Sequence, residues 1–391
     1  MHRDKARRLE RLNNVDFSAT SALGQEIQDR VSSGDVEWAA LLGAEVVRQA
    51  AAEGEDGSAH AFLLDRVQTA LAASPGPRSL CALMSVPFSL WPGGSEQVTA
   101  ERRLAQMVAL GHRAEDIAAV MYGEEPGTAV PHEFKACLLQ ELVLKGVPVA
   151  EYPVLRSFGE TLVNEEHPLA VLPLHLLPTE RGLRRPPHAP RDWTWALPPS
   201  TVAKHSDQPE LRVSPEMRRR SVEVDPVEIT VAEVAEVLGA AVRHWRERSN
   251  GLVAAQEFWS PAPVSPDDFA AVFERLPLTA WPKEEAPARL HAASSDRVLR
   301  VLLTAAVRSP AYGTGLYGAY GRLAAWRSLG GLVGAPADAL INQTAALVEQ
   351  THWFIADPSS DWFYQVAWDL AVAALRPGGQ AIAVLAATDT D

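Results

Sequence analysis

Three glycines in the second half of the chain have the spacing of a phosphate-binding loop. Gly313, Gly315 and Gly318 form the pattern G-x-G-x-x-G, in which backbone amides at the start of a helix hold the pyrophosphate of a dinucleotide. Such a loop follows a strand. Residues 295–308 instead have helical spacing, and Pro310 interrupts the chain before the glycines. We therefore expect no dinucleotide here, and the sequence contains no P-loop pattern.

Aromatic and basic side chains surround these glycines and offer a different chemistry. Tyrosine supplies a flat amphipathic surface, and guanidinium groups bind carboxylates and phosphates. The candidate residues for binding a ligand or a partner are Tyr312, Tyr317, Tyr320, Arg322, Trp326 and Arg327. Arg322 and Arg327 lie about 140° apart around a helix, so they do not form one clamp. The alternative is that the aromatic side chains pack in the core, against a C-terminal hairpin.

A second group of aromatic and acidic residues follows. Aromatic side chains dominate the binding energy of many protein interfaces, whereas a core that needs bulk is the alternative explanation for tryptophans. The further candidates are Trp353, Asp357, Trp362 and Asp369. If the protein is an enzyme, the two acids together with Arg322 and Arg327 are the first catalytic candidates.

The sequence lacks the usual patterns of metal sites and catalytic nucleophiles. Its eleven histidines are scattered, and neither H-E-x-x-H nor the Cys/His spacing of a zinc site occurs. No G-x-S-x-G elbow is present, and Cys81 and Cys137 lie far apart in apolar segments. We expect no metal and no cofactor, and the leading hypothesis is a protein without catalytic activity.

Composition restricts the class of partner. The chain has 391 residues and a formal net charge of -13, so its surface repels the phosphate backbone of nucleic acids. No apolar run approaches the ~20 residues that cross a bilayer, and the start has no signal-peptide pattern. We expect a cytoplasmic protein that binds no membrane and no general nucleic acid. Its partner is expected to be another protein or a small anionic ligand.

The elements that must position the candidates fall into three segments. Residues 1–165 show consecutive amphipathic helices with short connections, which predicts a helical bundle or a short helical array. Residues 166–220 are rich in proline and predict a connecting strap, because internal prolines break helices. Residues 221–391 mix helices, one of them over 230–248, with apolar runs of strand length. The predicted fold class is α+β, predominantly α-helical.

The clearest strand signal lies near residue 377. Pro377 and Gly378 stand where a type II turn requires proline followed by glycine. Apolar stretches on both sides predict a β-hairpin that ends the α+β domain, and residues 352–357 predict a third strand. A helix over 362–375 is the alternative, because its apolar residues also fit a helical stripe.

Three stretches of this domain resemble a family of proteins. They are GAYGRLAAWRSLGGL, WFYQVAWDLAVAALRP and IAVLAATDTD, and they are similar to the C-terminal part of an uncharacterised actinobacterial, chiefly streptomycete, family of unknown function. The resemblance covers roughly the last hundred residues. It implies a bacterial cytoplasmic protein, and it implies no activity, cofactor or catalytic residue.

These observations favour a soluble binding or regulatory protein that acts through an aromatic and arginine-bearing surface of residues 221–391. One alternative is an enzyme acting on a small anionic substrate at a C-terminal pocket. Another is an immunity or antitoxin-like partner protein. A pocket lined by an arginine and a carboxylate would favour the enzyme, and a flat aromatic patch would favour the binding protein.

Overall fold

The chain divides into two compact units, Met1–His167 and Pro168–Asp391. The computed structural model describes residues 17–53, 58–90, 93–123, 130–183, 210–222, 224–282, 288–366 and 368–390. Within the predicted proline-rich strap, residues 184–209 lie outside this described part of the chain. The strap residues from Pro168 to Leu183 belong to the second unit.

Helices make up the described part of the first unit. They are α1 (Phe17–Ser32), α2 (Val36–Glu53), α3 (Ser58–Ala73), α4 (Pro77–Met84), α5 (Ser95–Gly111), α6 (Ala114–Tyr122), α7 (His132–Leu144) and α8 (Pro153–Asn164). Odd-numbered helices contact one another in succession from α1 to α7, and even-numbered helices do so from α2 to α8. The helices are therefore stacked in two layers, as in a short helical array.

The second unit combines helices with an antiparallel sheet. Its helices are α9 (Pro215–Val222), α10 (Ala232–Leu238), α11 (Arg243–Arg248), α12 (Phe269–Phe273), α13 (Ser295–Val307), α14 (Tyr317–Val333) and α15 (Ile341–Gln350). Its strands are β1 (Val227–Glu228), β2 (Leu252–Trp259), β3 (Leu290–Ala293), β4 (His352–Ala356), β5 (Trp368–Leu375) and β6 (Ala381–Asp389). These strands form one sheet in the order β1-β2-β6-β5-β4-β3, and every neighbouring pair is antiparallel. The fold is α+β and predominantly helical, which confirms the predicted class.

The predicted hairpin is present as β5 and β6. At its turn, the backbone N–H of Gly379 donates to the carbonyl oxygen of Arg376 at 3.0 Å. Gly378 has φ of 87°, the positive value that a type II turn requires at this position. Strand β5 takes the place of the alternative helix. Its residues are buried on both faces of the sheet, which explains why apolar side chains do not alternate with polar ones.

Helices and loops cover both faces of the sheet. On one face, the ring of Phe269 in α12 stacks on Phe354 of β4 with their centroids 4.2 Å apart, inside a core that also contains Phe273 and Trp281. On the other face, α13 and α14 contact the central strands. Because α14 contains Tyr317, Tyr320, Arg322, Trp326 and Arg327, its packing decides which of these candidates reach solvent.

The helix predicted over 230–248 is interrupted. Helix α10 ends at Leu238 and α11 begins at Arg243. In the connection, the backbone N–H of Ala241 donates to the hydroxyl of Ser328 in α14 at 2.9 Å. Tertiary contacts with α14 therefore override the helical pattern at this point.

Candidate functional site

A buried ion pair fastens α14 to the preceding strap. Glu180 lies in the 3₁₀ helix Pro178–Leu183, and its side chain and that of Arg322 both have 0% exposure. Arg322 Nε donates to Glu180 Oε1 at 2.6 Å, and Nη2 donates to Oε2 at 2.7 Å. The guanidinium also donates to the carbonyl oxygens of Pro173 and His175. This is a bidentate pair in which two further N–H groups of the guanidinium donate to the backbone.

Two further donors complete the environment of Glu180. The indole Nε1 of Trp326 donates to Oε1 at 2.8 Å, and the backbone N–H of Leu177 donates to Oε2 at 2.8 Å. Burial by itself would raise the pKa of Glu180, but Arg322 and these donors hold that pKa below its ordinary value. Arg322 and Trp326 are internal, at 0% and 1% exposure. The expected aromatic and arginine-bearing surface therefore does not include them.

The other side of α14 faces a cleft of about 180 Å³. The residues that line it from α14 follow the spacing i, i+3, i+4 and i+7 of a single helical face. They are Tyr320, Leu323, Ala324 and Arg327. Arg322 and Arg327 thus serve different sides of the helix, as their five-residue spacing predicts.

Helix α11 and its surroundings supply the rest of the cleft. The lining residues outside α14 are Ala240, Arg243, His244, Glu247, Arg248 and Leu316. Arg243 forms an ion pair with Glu236 at 3.4 Å. Arg248 and Arg327 are exposed, and within the described ranges neither forms an ion pair. Because Glu236 offsets the charge of Arg243, the cleft keeps two further guanidinium groups, of Arg248 and Arg327, against the carboxylate of Glu247. This lining is net positive and is suited to an anion.

His244 is buried in the wall of the cleft. The residue is 2% exposed, and both ring nitrogens are buried without a hydrogen bond of normal geometry. The pKa of His244 is lowered to about 4, mainly by burial and in smaller part by the charge of Arg248, against the opposing effects of the Arg308 backbone and the Asp389 carboxylate. The imidazole is therefore neutral at neutral pH and has one donor nitrogen and one acceptor nitrogen.

The glycine run allows α13 and the start of α14 to pack closely. A Cβ atom at Gly315 would lie 2.1 Å from the carbonyl oxygen of Val307, and one at Gly321 would lie 2.4 Å from a methyl group of the same valine. Gly313 has φ of 94°, and Tyr317 has φ of 58°, which is uncommon for a residue with a side chain. The element before the run is a helix, as its spacing predicts. The glycines permit backbone contact.

Two candidates belong to the interior of the sheet. Trp353 of β4 is 4% exposed, and its indole N–H donates to the carbonyl oxygen of Val348 at 2.9 Å. Asp369 of β5 is 2% exposed, and its Oδ1 accepts a hydrogen bond from the Thr388 hydroxyl at 2.6 Å. Neither reaches the surface, because both faces of the sheet are covered. The predicted binding surface therefore does not include Trp353 or Asp369 either.

The remaining candidates keep some exposure but do not line the cleft. Tyr312 is 51% exposed. Asp357 forms an ion pair with Arg289 at 3.1 Å. The ring of Trp362 packs edge-on against Phe363 with their centroids 4.9 Å apart. Of the ten candidates, Tyr320 and Arg327 are thus the two that the fold brings together in the cleft.

Sequence reasoning missed the α11 half of the cleft and the partner of Arg322. His244 and Arg248 are four residues apart and share a helical face, but a continuous helix over 230–248 gave no reason to place them beside α14. Glu180 is an isolated carboxylate in an apolar, proline-rich segment. That isolation was the available signal, because a buried carboxylate needs a cationic partner.

Among the residues with described coordinates, no three His, Cys, Asp or Glu side chains converge as metal ligands. Over the same ranges, no helix combines the length and the apolar character needed to cross a bilayer.

The sequence of the chain matches one known protein family. A family model described as a family of unknown function, DUF6183, matches residues 21–391. The chain belongs to the DUF6183 family. The DUF6183 match spans both units and extends well beyond the last hundred residues that carry the resemblance noted from the sequence. No curated protein and no solved structure matches the chain.

Proposed function

We propose that this DUF6183 protein is a binding or regulatory protein that takes up a small anionic ligand in the cleft between α11 and α14. The observation that carries the proposal is the convergence of Arg248 and Arg327, without ion-pair partners in the described part of the chain, on one cleft. Cations held near one another repel, and an anion bound between them removes that repulsion. The chain as a whole has a net charge of -13, so the charge of this cleft is opposite in sign to that of the chain.

Size and polarity define the class of ligand. A volume of about 180 Å³ suits a phosphate, sulfate or small carboxylate group, with any larger part of the ligand extending into solvent. Leu316 precedes the first turn of α14 and lines the cleft, so the positive end of that helix adds to the attraction. The bacterial cytoplasmic location suggested by the sequence remains a prediction.

Removing one cleft arginine should weaken anion binding. We expect Arg327→Gln to lower the affinity for phosphate or a small dicarboxylate at least tenfold, because a hydrogen bond to a charged group contributes about 1.5–3 kcal/mol. Isothermal titration calorimetry at low ionic strength measures the change.

The matched control is Arg219→Gln. Arg219 is an exposed arginine of α9 outside the cleft, and its removal changes the net charge equally. An equal loss of affinity in both variants would show non-specific attraction and contradict the proposed site.

A second candidate function is an enzyme that acts on a small anionic substrate. It is favoured by the presence of Glu247 and Tyr320 in the same cleft as Arg327, since these side chains can transfer protons. Chromatography of bound anionic esters after incubation with the protein distinguishes the two functions. Chemical conversion that stops in Glu247→Gln, while ligand binding persists, would replace the binding protein by the enzyme.

A further inference from the structure

We infer that two copies of this chain associate through the edge of the sheet at β1, where residues 227–231 of the two copies pair antiparallel about a two-fold axis at Ile229. This association is separate from anion binding, since no residue of the edge lines the cleft between α11 and α14. The backbone, the side chains and the charges of the edge each support it.

The backbone of this edge has hydrogen-bonding groups that point away from the sheet. Among the described strands, β1 ends the sheet order and has β2 as its neighbour. The N–H of Ile229 donates to the carbonyl oxygen of Glu257 in β2 at 2.8 Å. Because these directions alternate along a strand, the N–H and C=O groups of Glu228 and Thr230 point outward. The chain is still extended at Val231, with φ of -110° and ψ of 153°.

The side chains on one face of this edge are apolar and exposed. Val227, Ile229 and Val231 are 62%, 43% and 52% exposed, and their alternate positions place them on one face of the extended segment. Trp259, the partner of Val227 in β2, is 47% exposed. An open strand edge beside an apolar surface is a template for pairing with another chain.

The residue types at this edge are symmetric about its centre, which makes a second copy the matching partner. Valines stand at both ends of residues 227–231 and Ile229 stands in the middle. An interface with two-fold symmetry requires such a self-complementary surface. With the axis at Ile229, Val227 lies opposite Val231 of the other copy. Glu228 then lies opposite Thr230 of the other copy, and the two residues exchange both backbone hydrogen bonds.

The charges of the edge select this register over its neighbours. Glu228 is the one ionisable residue in 227–231, and about Ile229 it faces a hydroxyl. An axis at Glu228 would place two carboxylates opposite each other, which is unfavourable, and would set Thr230 against Pro226, which has no N–H. An axis at Thr230 would set Glu228 against Ala232, where α10 begins.

The first test is the state of association of the full-length protein. Pro226 and the start of α10 limit the pairing to residues 227–231, and small interfaces of this kind are typical of weak complexes. Sedimentation velocity should show a dimer fraction that rises through the micromolar range. Added salt should increase it, because each chain has a net charge of -13 and salt screens the repulsion. A monomer at every concentration would overturn the inference.

Cysteine cross-linking tests the register. About this axis the two Ile229 residues form a non-hydrogen-bonded pair, whose Cα atoms lie about 4.5 Å apart, a separation that a disulfide spans. Ile229→Cys should therefore give a covalent dimer on mild oxidation, in a Cys81→Ser background because Cys81 is exposed. Val227→Cys is the matched control, since its two copies lie at opposite ends of the pairing. Equal cross-linking at both positions, or none at either, would overturn the register.

A charge at the axis tests the apolar contact. Ile229→Lys would set two cations opposite each other, so the dissociation constant of the dimer should rise at least tenfold. Val163→Lys adds the same charge at a 60% exposed position of α8 and should leave the dimer unchanged. Equal weakening by both variants would overturn the inference.

Hydrogen exchange at the edge separates a second copy from a different partner. The amides of Glu228 and Thr230 should be protected at high protein concentration and exchange freely on dilution. If the protein instead stays monomeric and a synthetic peptide of alternating valine and lysine protects these amides, the edge serves a different extended chain and the inference is overturned.

Discussion

Replacing Glu180 with glutamine should lower the free energy of unfolding by about 3–5 kcal/mol, the range observed when one partner of a buried ion pair is removed. The variant leaves the Arg322 guanidinium charged, at 0% exposure, with an amide where it had a carboxylate. The N–H groups of Trp326 and Leu177 also lose an anionic acceptor. Urea unfolding followed by tryptophan fluorescence measures the loss.

Glu216→Gln is the control for this experiment. It breaks an ion pair with Arg220 whose side chains are 75% and 50% exposed, so the unfolding midpoint should stay unchanged.

Unfolding at acidic pH tests whether the loss of stability in Glu180→Gln comes from the ion pair. Because the pKa of Glu180 lies below its ordinary value of 4.5, its stabilisation is complete above that pH and is lost as the pH falls further. Wild type and Glu180→Gln should therefore converge in acid, and a constant difference would contradict the ionic explanation.

Replacing Gly315 with alanine should destabilise the second unit by about 3 kcal/mol, at the upper end of the usual cost of overpacking. The new methyl group would lie 2.1 Å from the carbonyl oxygen of Val307 and 2.7 Å from that of Arg308. These are backbone atoms, so no rotamer change relieves the clash, and α13 must separate from the start of α14. The neighbouring Leu316 lines the cleft, so anion affinity should fall together with the thermal unfolding temperature.

Gly330→Ala tests whether this cost comes from the contact. Around Gly330 the nearest atoms to an added Cβ are 3.7 and 4.0 Å away, and the residue lies inside α14. Alanine should therefore be neutral or stabilise the helix by up to about 1 kcal/mol. Similar destabilisation by both substitutions would show that α14 needs glycine for a reason other than the approach to Val307.

The fold class and the hairpin were predictable because their signals are local. A proline followed by a glycine specifies the turn at Pro377 and Gly378, and the strands on either side need only remain apolar. The break between α10 and α11 was not predictable. It depends on the hydrogen bond between Ala241 and Ser328, which joins elements far apart in sequence.

Only part of the candidate site was predictable, because the rest also depends on contacts between residues far apart in sequence. Helical spacing alone placed Arg322 and Arg327 on different sides of α14, but it did not show which side is buried. That choice depends on Glu180, a lone carboxylate of the proline-rich segment, and on α11, which brings His244 and Arg248 to the cleft. The residue spacing within α14 is the same whether the side with Arg322 or the side with Arg327 is buried, so it could not distinguish the two.

The position of β6 in the sheet determines when the second unit can fold. Strand β6 pairs with β5, its neighbour in sequence, and also with β2. The register with β2 joins Gln256 to Val384, across more than half of the unit. Closing so long a loop costs conformational entropy before any hydrogen bond compensates for it, and folds dominated by distant pairings form slowly. During synthesis, β2 therefore waits with an unpaired, apolar edge while most of the unit is still being made. That interval makes β2 a segment at which aggregation can compete with folding.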